Sequence, residues 1–190
     1  MAHPYPRHLR DFSYVGKYRY FLTFCTHDRR AYFVELGTVH SVRAQIVRAV
    51  NQHQVVCIAY CFMPDHLHLL VEGAYASSDL GRFIKSAKQY SAYYFKQQYH
   101  QTLWQRHGYE HVLRDDMERA TTLRYMLDNP VAAGLANTPE EYPFLGSGCY
   151  AIGELLQQAL HRPCAEQVIV RLPTEGASLK VLPPLGGRSV

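Results

Sequence analysis

The chain has 190 residues, 47% hydrophobic and 19% charged, with a formal net charge of +4; that is enough for one domain with its own core and excludes a disordered or fibrous chain. The mild basic excess admits a nucleic-acid partner without requiring one, no apolar run reaches membrane-span length, and the polar, basic start lacks the apolar stretch of a secretory signal. Five cysteines without a CxxC pair read as reduced thiols of a cytoplasmic protein.

In chain order, residues 1–16 read as a polar arm bearing His3, Arg7, His8 and Arg10. The aromatic, threonine-rich run at 17–26 predicts a first strand, and Val39, Val42, Ile46 and Val50 predict a helix over 38–53. Residues 55–62 are an unbroken apolar run suited to a central strand. Pro64-Asp65 is a tight turn, so 66–72 should return as its antiparallel partner. Ser77-Ser78-Asp79 offers cap chemistry for a helix over 80–99. Leu80, Phe83, Ile84, Ala87, Ser91, Tyr94 and Phe95 form its core stripe, and Lys85, Lys88, Gln89, Ala92 and Lys96 lie opposite. A short strand within 104–114 follows a basic, aromatic loop. Asp115 to Glu118 then caps a helix running to about residue 128, which Pro130 should end or kink, with Gly134 closing the segment. The order strand, helix, strand, strand, helix, strand predicts an α+β fold: a ferredoxin-like split βαβ antiparallel sheet with helices on one face and an added C-terminal helix. A weak helix over 152–161 precedes a tail rich in proline and glycine.

Two places carry candidate chemistry. In His66-Leu67-His68 the strand period of two puts both imidazoles on one face and Leu67 on the other. Such a pair is either half of a metal site or two partly exposed strand histidines. In the 116–128 helix, Ala120, Leu123 and Leu127 form the core stripe, and Tyr125 lies about 200° from Leu123, aligned with Thr121 and Asn129. That pattern fits a surface tyrosine before an Asn-Pro helix end as well as it fits a functional tyrosine.

The phrases YFLTFCTHDRRAYF, YCFMPDHLHLLVEG, FIKSAKQYSAYYF, LWQRHGYEHVLRD and LRYMLDNPVAAGL stand in one colinear series. Together they resemble the REP-associated tyrosine transposases, relatives of the single-tyrosine insertion-sequence transposases with an HUH motif. The resemblance covers about 14–146, so residues 1–147 are taken as the transposase-like domain and 148–190 as a C-terminal extension. It implies metal-binding histidines at His66 and His68, a nucleophile at Tyr125 and an amide ligand at Asn129, where relatives often carry Gln. Asp65, where the family often has Asn, would add a carboxylate behind the metal site.

The implied cofactor is a divalent cation, Mg²⁺ or Mn²⁺. The implied partner is a single-stranded DNA hairpin of the repetitive extragenic palindromic (REP) type with a short flank, bound by a monomer or homodimer in a bacterial cytoplasm. Arg29, Arg30, Lys85, Lys88, Trp104, Arg106 and Tyr109 are the candidates for phosphate or base contact. Three functions stay open: strand cleavage and rejoining through a 5′-phosphotyrosine, hairpin binding without catalysis, and an unrelated metal-dependent hydrolase.

Overall fold

The computed structural model describes residues 14–106 and 108–160. The expectations for most of the basic arm, for His161 and for the tail lie outside these. The aromatic run forms β1 (Arg19–Cys25), and the unbroken apolar run forms β2 (Val55–Met63). β2 turns through Pro64-Asp65 into β3 (His66–Gly73), with Met63 opposite His66. β4 (Tyr109–Leu113) and a two-residue β5 (Leu145–Gly146) complete a sheet ordered β4-β1-β3-β2-β5. Every pairing is antiparallel. The first four strands, with α1 (Leu36–Gln52) and α2 (Leu80–Tyr99), follow the ferredoxin-like order. β5 was not anticipated, since two residues carry no readable period.

α1 and α2 cover one face of the sheet. Val39, Val42, Ile46 and Ala49 of α1 and Leu80, Phe83, Ile84, Ala87 and Phe95 of α2 bury against Tyr20, Leu22, Phe24, Leu67, Leu69 and Val71. Asp79 caps α2 by accepting from the Arg82 N–H at 2.9 Å. Tyr94, expected on the core stripe, is instead exposed beside Tyr93, and the stripe passes from Ser91 to Phe95. Among the described residues no helix is long and apolar enough to cross a membrane.

The other face is covered in part by α3 (Asp116–Ala132) and α4 (Ile152–Leu160). Here Phe21, Ile58, Leu70 and Leu113 bury against Leu123, Met126, Leu127 and Leu155. Met126 takes the place expected of Ala120, which is only half-buried. Asp115 accepts from the Glu118 N–H at 2.8 Å, and the Glu118 carboxylate accepts from the Arg114 N–H at 2.7 Å, a reciprocal cap. α3 extends past the expected residue 128, through Pro130 to Ala132. Proline removes one helical donor, its ring is buried, and the last turn is still closed by the Ala133 N–H on the Asn129 carbonyl and by Gly134 at φ +69°. An irregularity between Cys57 and Ala59 shifts the alternation of β2, so Cys57 packs with the α1/α2 layer and Cys61 with the α3 layer. α3 stops short of covering the β1 and β3 ends that carry Thr23, His66 and His68, and a cleft of about 500 Å³ opens there.

Candidate active site

Strand register builds the floor of this cleft. Thr23 of β1 lies opposite His68 of β3 and opposite Tyr109 of β4, so one row crosses three strands on the same face. The Thr23 hydroxyl is 2.9 Å from His68 Nδ1, and an Asp65 carboxylate oxygen is 2.6 Å from His66 Nδ1. With both Nδ1 atoms engaged, both Nε2 atoms turn toward one point and approach to 3.0 Å. Two imidazole lone pairs at that distance repel unless a proton or a cation lies between them. Partners on Nδ1 orient ligating histidines in this way in metal sites.

Burial sets the protonation of the pair. His68 is 3% exposed, and loss of solvent, with His66 and Arg29 nearby, drives its pKa down to about 3. His66 is also lowered by burial, against the raising influence of Asp65. Both rings are therefore neutral at physiological pH, the state a ligand requires.

α3 supplies the wall. Tyr125 is half-exposed on the helix flank, with its ring 5.6 Å from the His68 ring and 6.0 Å, edge-on, from Phe21. Phe21 in turn stacks on His68 at 5.1 Å and meets Tyr109 at 6.2 Å. Asn129, one turn after Tyr125, lines the same cleft, and its Nδ2 atom is buried without a hydrogen-bond partner. Since the two ends of an amide are interchangeable in placement, this uncommitted group can present oxygen to the cleft. The donor set of two neutral imidazoles and one amide fits a divalent cation such as Mn²⁺, and Mg²⁺ less closely.

Arg29 enters from the loop after β1. Asp28 and Arg29 both hold left-handed backbone, φ 54° and 55°, a conformation that costs on the order of 1–3 kcal/mol where glycine is absent. Thr26 Oγ1 ties the loop at 2.7 Å to the Arg30 carbonyl and 2.9 Å to the Asp65 carbonyl. The strained turn aims the Arg29 guanidinium into the cleft, where Nε bonds Asp65 at 2.8 Å.

Of the residues singled out in the sequence, the cleft thus collects His66, His68, Tyr125, Asn129, Arg29 and Tyr109. Lys85, Lys88 and Arg106 line a separate recess between α2 and the loop before β4. Lys88 is largely spent within the fold: its ammonium donates to the Gln105 carbonyl at 2.9 Å, and burial lowers its pKa. Arg30 reaches Gln101 at 3.4 Å. Trp104 corrects the expectation of a stacking platform. It is 6% exposed, packs on Phe24 and Phe33, and its indole N–H donates to Ser91 at 2.8 Å, so it belongs to the core. Thr23 and Phe21 were missed. Alternation in β1 puts them on one face, but only the β1–β3 register brings that face to His68.

Residues 14–126 match the family described as Transposase IS200 like. A chain of Haemophilus influenzae named as a REP-associated tyrosine transposase is 28% identical over 149 residues, 71% of this chain and 81% of that one. A solved structure of a REP-associated tyrosine transposase bound to a REP hairpin superposes with a TM-score of 0.62 at 19% identity, over 76% of this chain and 82% of that one. The chain belongs to the IS200-like transposase family, and within it resembles the REP-associated tyrosine transposases.

Proposed function

We propose that this transposase cleaves and rejoins single-stranded DNA beside REP-type hairpins through a 5′-phosphotyrosine on Tyr125. One observation carries the reading: both histidine Nε2 atoms converge on a single point, with the Tyr125 ring 5.6 Å from His68 in the same cleft. His66, His68 and the Asn129 amide would hold the divalent cation. Bound there, it supplies positive charge to a phosphodiester oxygen and fixes its orientation.

The chain's own groups do the rest. The Tyr125 oxygen attacks phosphorus, the P–O3′ bond breaks, and the 3′-oxygen departs as a hydroxyl. The phenol loses one proton and the leaving oxygen gains one, so the step balances. Arg29 faces the developing negative charge, held in place by Asp65 and by its strained loop. Tyr109, exposed at the cleft and backed by Phe21, offers a ring on which a base beside the scissile bond can stack. Keeping the strand on Tyr125 conserves bond energy for rejoining. The recess lined by Lys85 and Arg106, where the Lys88 ammonium is engaged by the loop, offers a basic surface for the hairpin or its flank. Hairpin recognition is carried over from the relative solved with a REP hairpin.

The test incubates the protein with labelled hairpin DNA bearing a single-stranded flank, with Mn²⁺, and maps any covalent adduct by peptide mass. An adduct on Tyr125, absent in Tyr125→Phe with hairpin affinity within about threefold, supports the reading. An adduct on Tyr109, or full cleavage by Tyr125→Phe, overturns it.

A further inference from the structure

The segment after residue 146 is tied to the sheet before it reaches α3. The Gly148 N–H donates to the Cys57 carbonyl at 3.0 Å, and a Cβ on Gly148 would stand only 3.1 Å from that oxygen. Buried Ser147 accepts from the N–H groups of Cys149 and Tyr150 at 3.0 and 3.1 Å, turning the chain toward α4. The Glu154 carboxylate accepts from the Ala151 N–H at 2.7 Å and closes the first turn of that helix.

α4 then lies along α3. Leu155 and Ala159 are buried in the same cluster as Leu123, Met126 and Leu127. Two arginines of α3 reach across the seam. Arg119 donates to the Gln158 side-chain oxygen. Arg124, the residue before Tyr125, donates from Nη2 to the Ala159 carbonyl at 2.8 Å. That carbonyl lies in the last described turn of α4, toward the end of the helix where a cation complements the dipole.

This second contact bears on the geometry of Tyr125. A helix seated on a sheet by one apolar stripe can roll about that stripe. Contact along a second flank removes the roll. Tyr125 projects from the remaining flank, so a rotation of α3 by only a few degrees moves its hydroxyl by about 1 Å, because that atom stands far from the helix axis. A misplacement of about 1 Å at a reacting atom costs about a hundredfold in rate.

We propose that α4 is a positioning element for the reaction, with Arg119 and Arg124 as positioning residues that fix the rotation of α3 above the histidine pair. The proposal rests on the reading of Tyr125 as nucleophile, and its test separates the two. In the full chain, Arg119→Ala with Arg124→Ala should speed amide hydrogen exchange in α3 by at least about tenfold and leave the β1 and β3 amides unchanged. Adduct formation should slow at least about tenfold with hairpin Kd within about twofold, and Arg124→Lys should recover most of the rate. A general loss of structure would instead raise exchange in the strands and weaken hairpin binding together. If the double variant fails to fold, Gln158→Leu removes only the acceptor of Arg119 and takes its place. Unchanged exchange in α3, or an adduct rate within about twofold of wild type, overturns the proposal. Should the wild type form no adduct, the nucleophile reading fails, and the exchange comparison alone decides whether α4 holds α3.

Discussion

His68 shows how burial sets the protonation of one side chain. Its low pKa means that the unfolded chain binds a proton the folded chain refuses between about pH 6.5 and about pH 3. Stability of the metal-free protein should therefore rise with pH across that window and level off above it, by up to about 1.4 kcal/mol per pH unit for each such histidine. Urea unfolding from pH 4 to 8 checks this. His68→Phe should lose less stability on acidification than the wild type, and identical profiles would contradict the assignment. Thr23 is the second residue to question. Its hydroxyl lies 2.9 Å from His68 Nδ1 and orients that ring. Thr23→Val should weaken Mn²⁺ binding about 10- to 100-fold while leaving the fold intact. Calorimetric titration giving an affinity within about twofold of wild type would remove Thr23 from the site.

At the scale of elements, the geometry depends on how the ends of β3 and α3 are held. Gly73 closes β3, where its N–H donates to the Tyr18 carbonyl at 3.1 Å. A Cβ there would lie 2.0 Å from the backbone oxygen of Gly16, itself at φ +137°, so neither partner has room to give. Gly73→Ala should cost about 3 kcal/mol, the upper part of the overpacking range, and lower Tm by about 6–12 °C for a chain of this size. A Tm within about 2 °C of wild type would show that the segment around Gly16 yields easily. The N-terminus of α3 is held by a different device: Asp115, Glu118 and His111 link cap to strand, with His111 Nε2 2.5 Å from Glu118. The same helix is gripped near its cap by β4 and along its flank by α4, and Tyr125 directly follows Arg124, the second of the two arginines that reach α4.

For the whole molecule, the cleft that holds Arg29 and the recess that holds Lys85 and Arg106 are separate openings, and the Trp104 backbone at the recess bridges to Thr26 just after β1. On the proposed reading, an unpaired flank supplies a base free to stack on Tyr109 beside the histidine pair, which a fully paired duplex does not offer. Hairpin DNA with a single-stranded flank should therefore bind more tightly than a random duplex of equal length. Four neutralised phosphates give a slope of about −2.8 in log K against log salt on single strands, or about a fiftyfold loss over a fourfold rise in salt. Fluorescence anisotropy at several salt concentrations measures both. Equal affinities for hairpin and duplex would refute the surface assignment.

What the chain determined by itself was local. Alternation put His66 and His68 on one strand face and Leu67 on the other, because side-chain direction along a strand needs no tertiary information. Helical periods located α1 and α2, and the element order selected the sheet topology. The tertiary structure decided everything that depends on register and on which flank of a helix meets a neighbour. Thr23 and Phe21 became part of the site only when β1 paired with β3. Trp104, expected as a DNA contact, is largely buried with its N–H on Ser91, thirteen positions earlier, although it still lines the recess beside α2. Tyr125 lies off the apolar stripe in either description. That it overhangs His68 follows from the way α3 is seated between the sheet and α4, contacts made by residues distant in sequence, whose pairing no local pattern encodes.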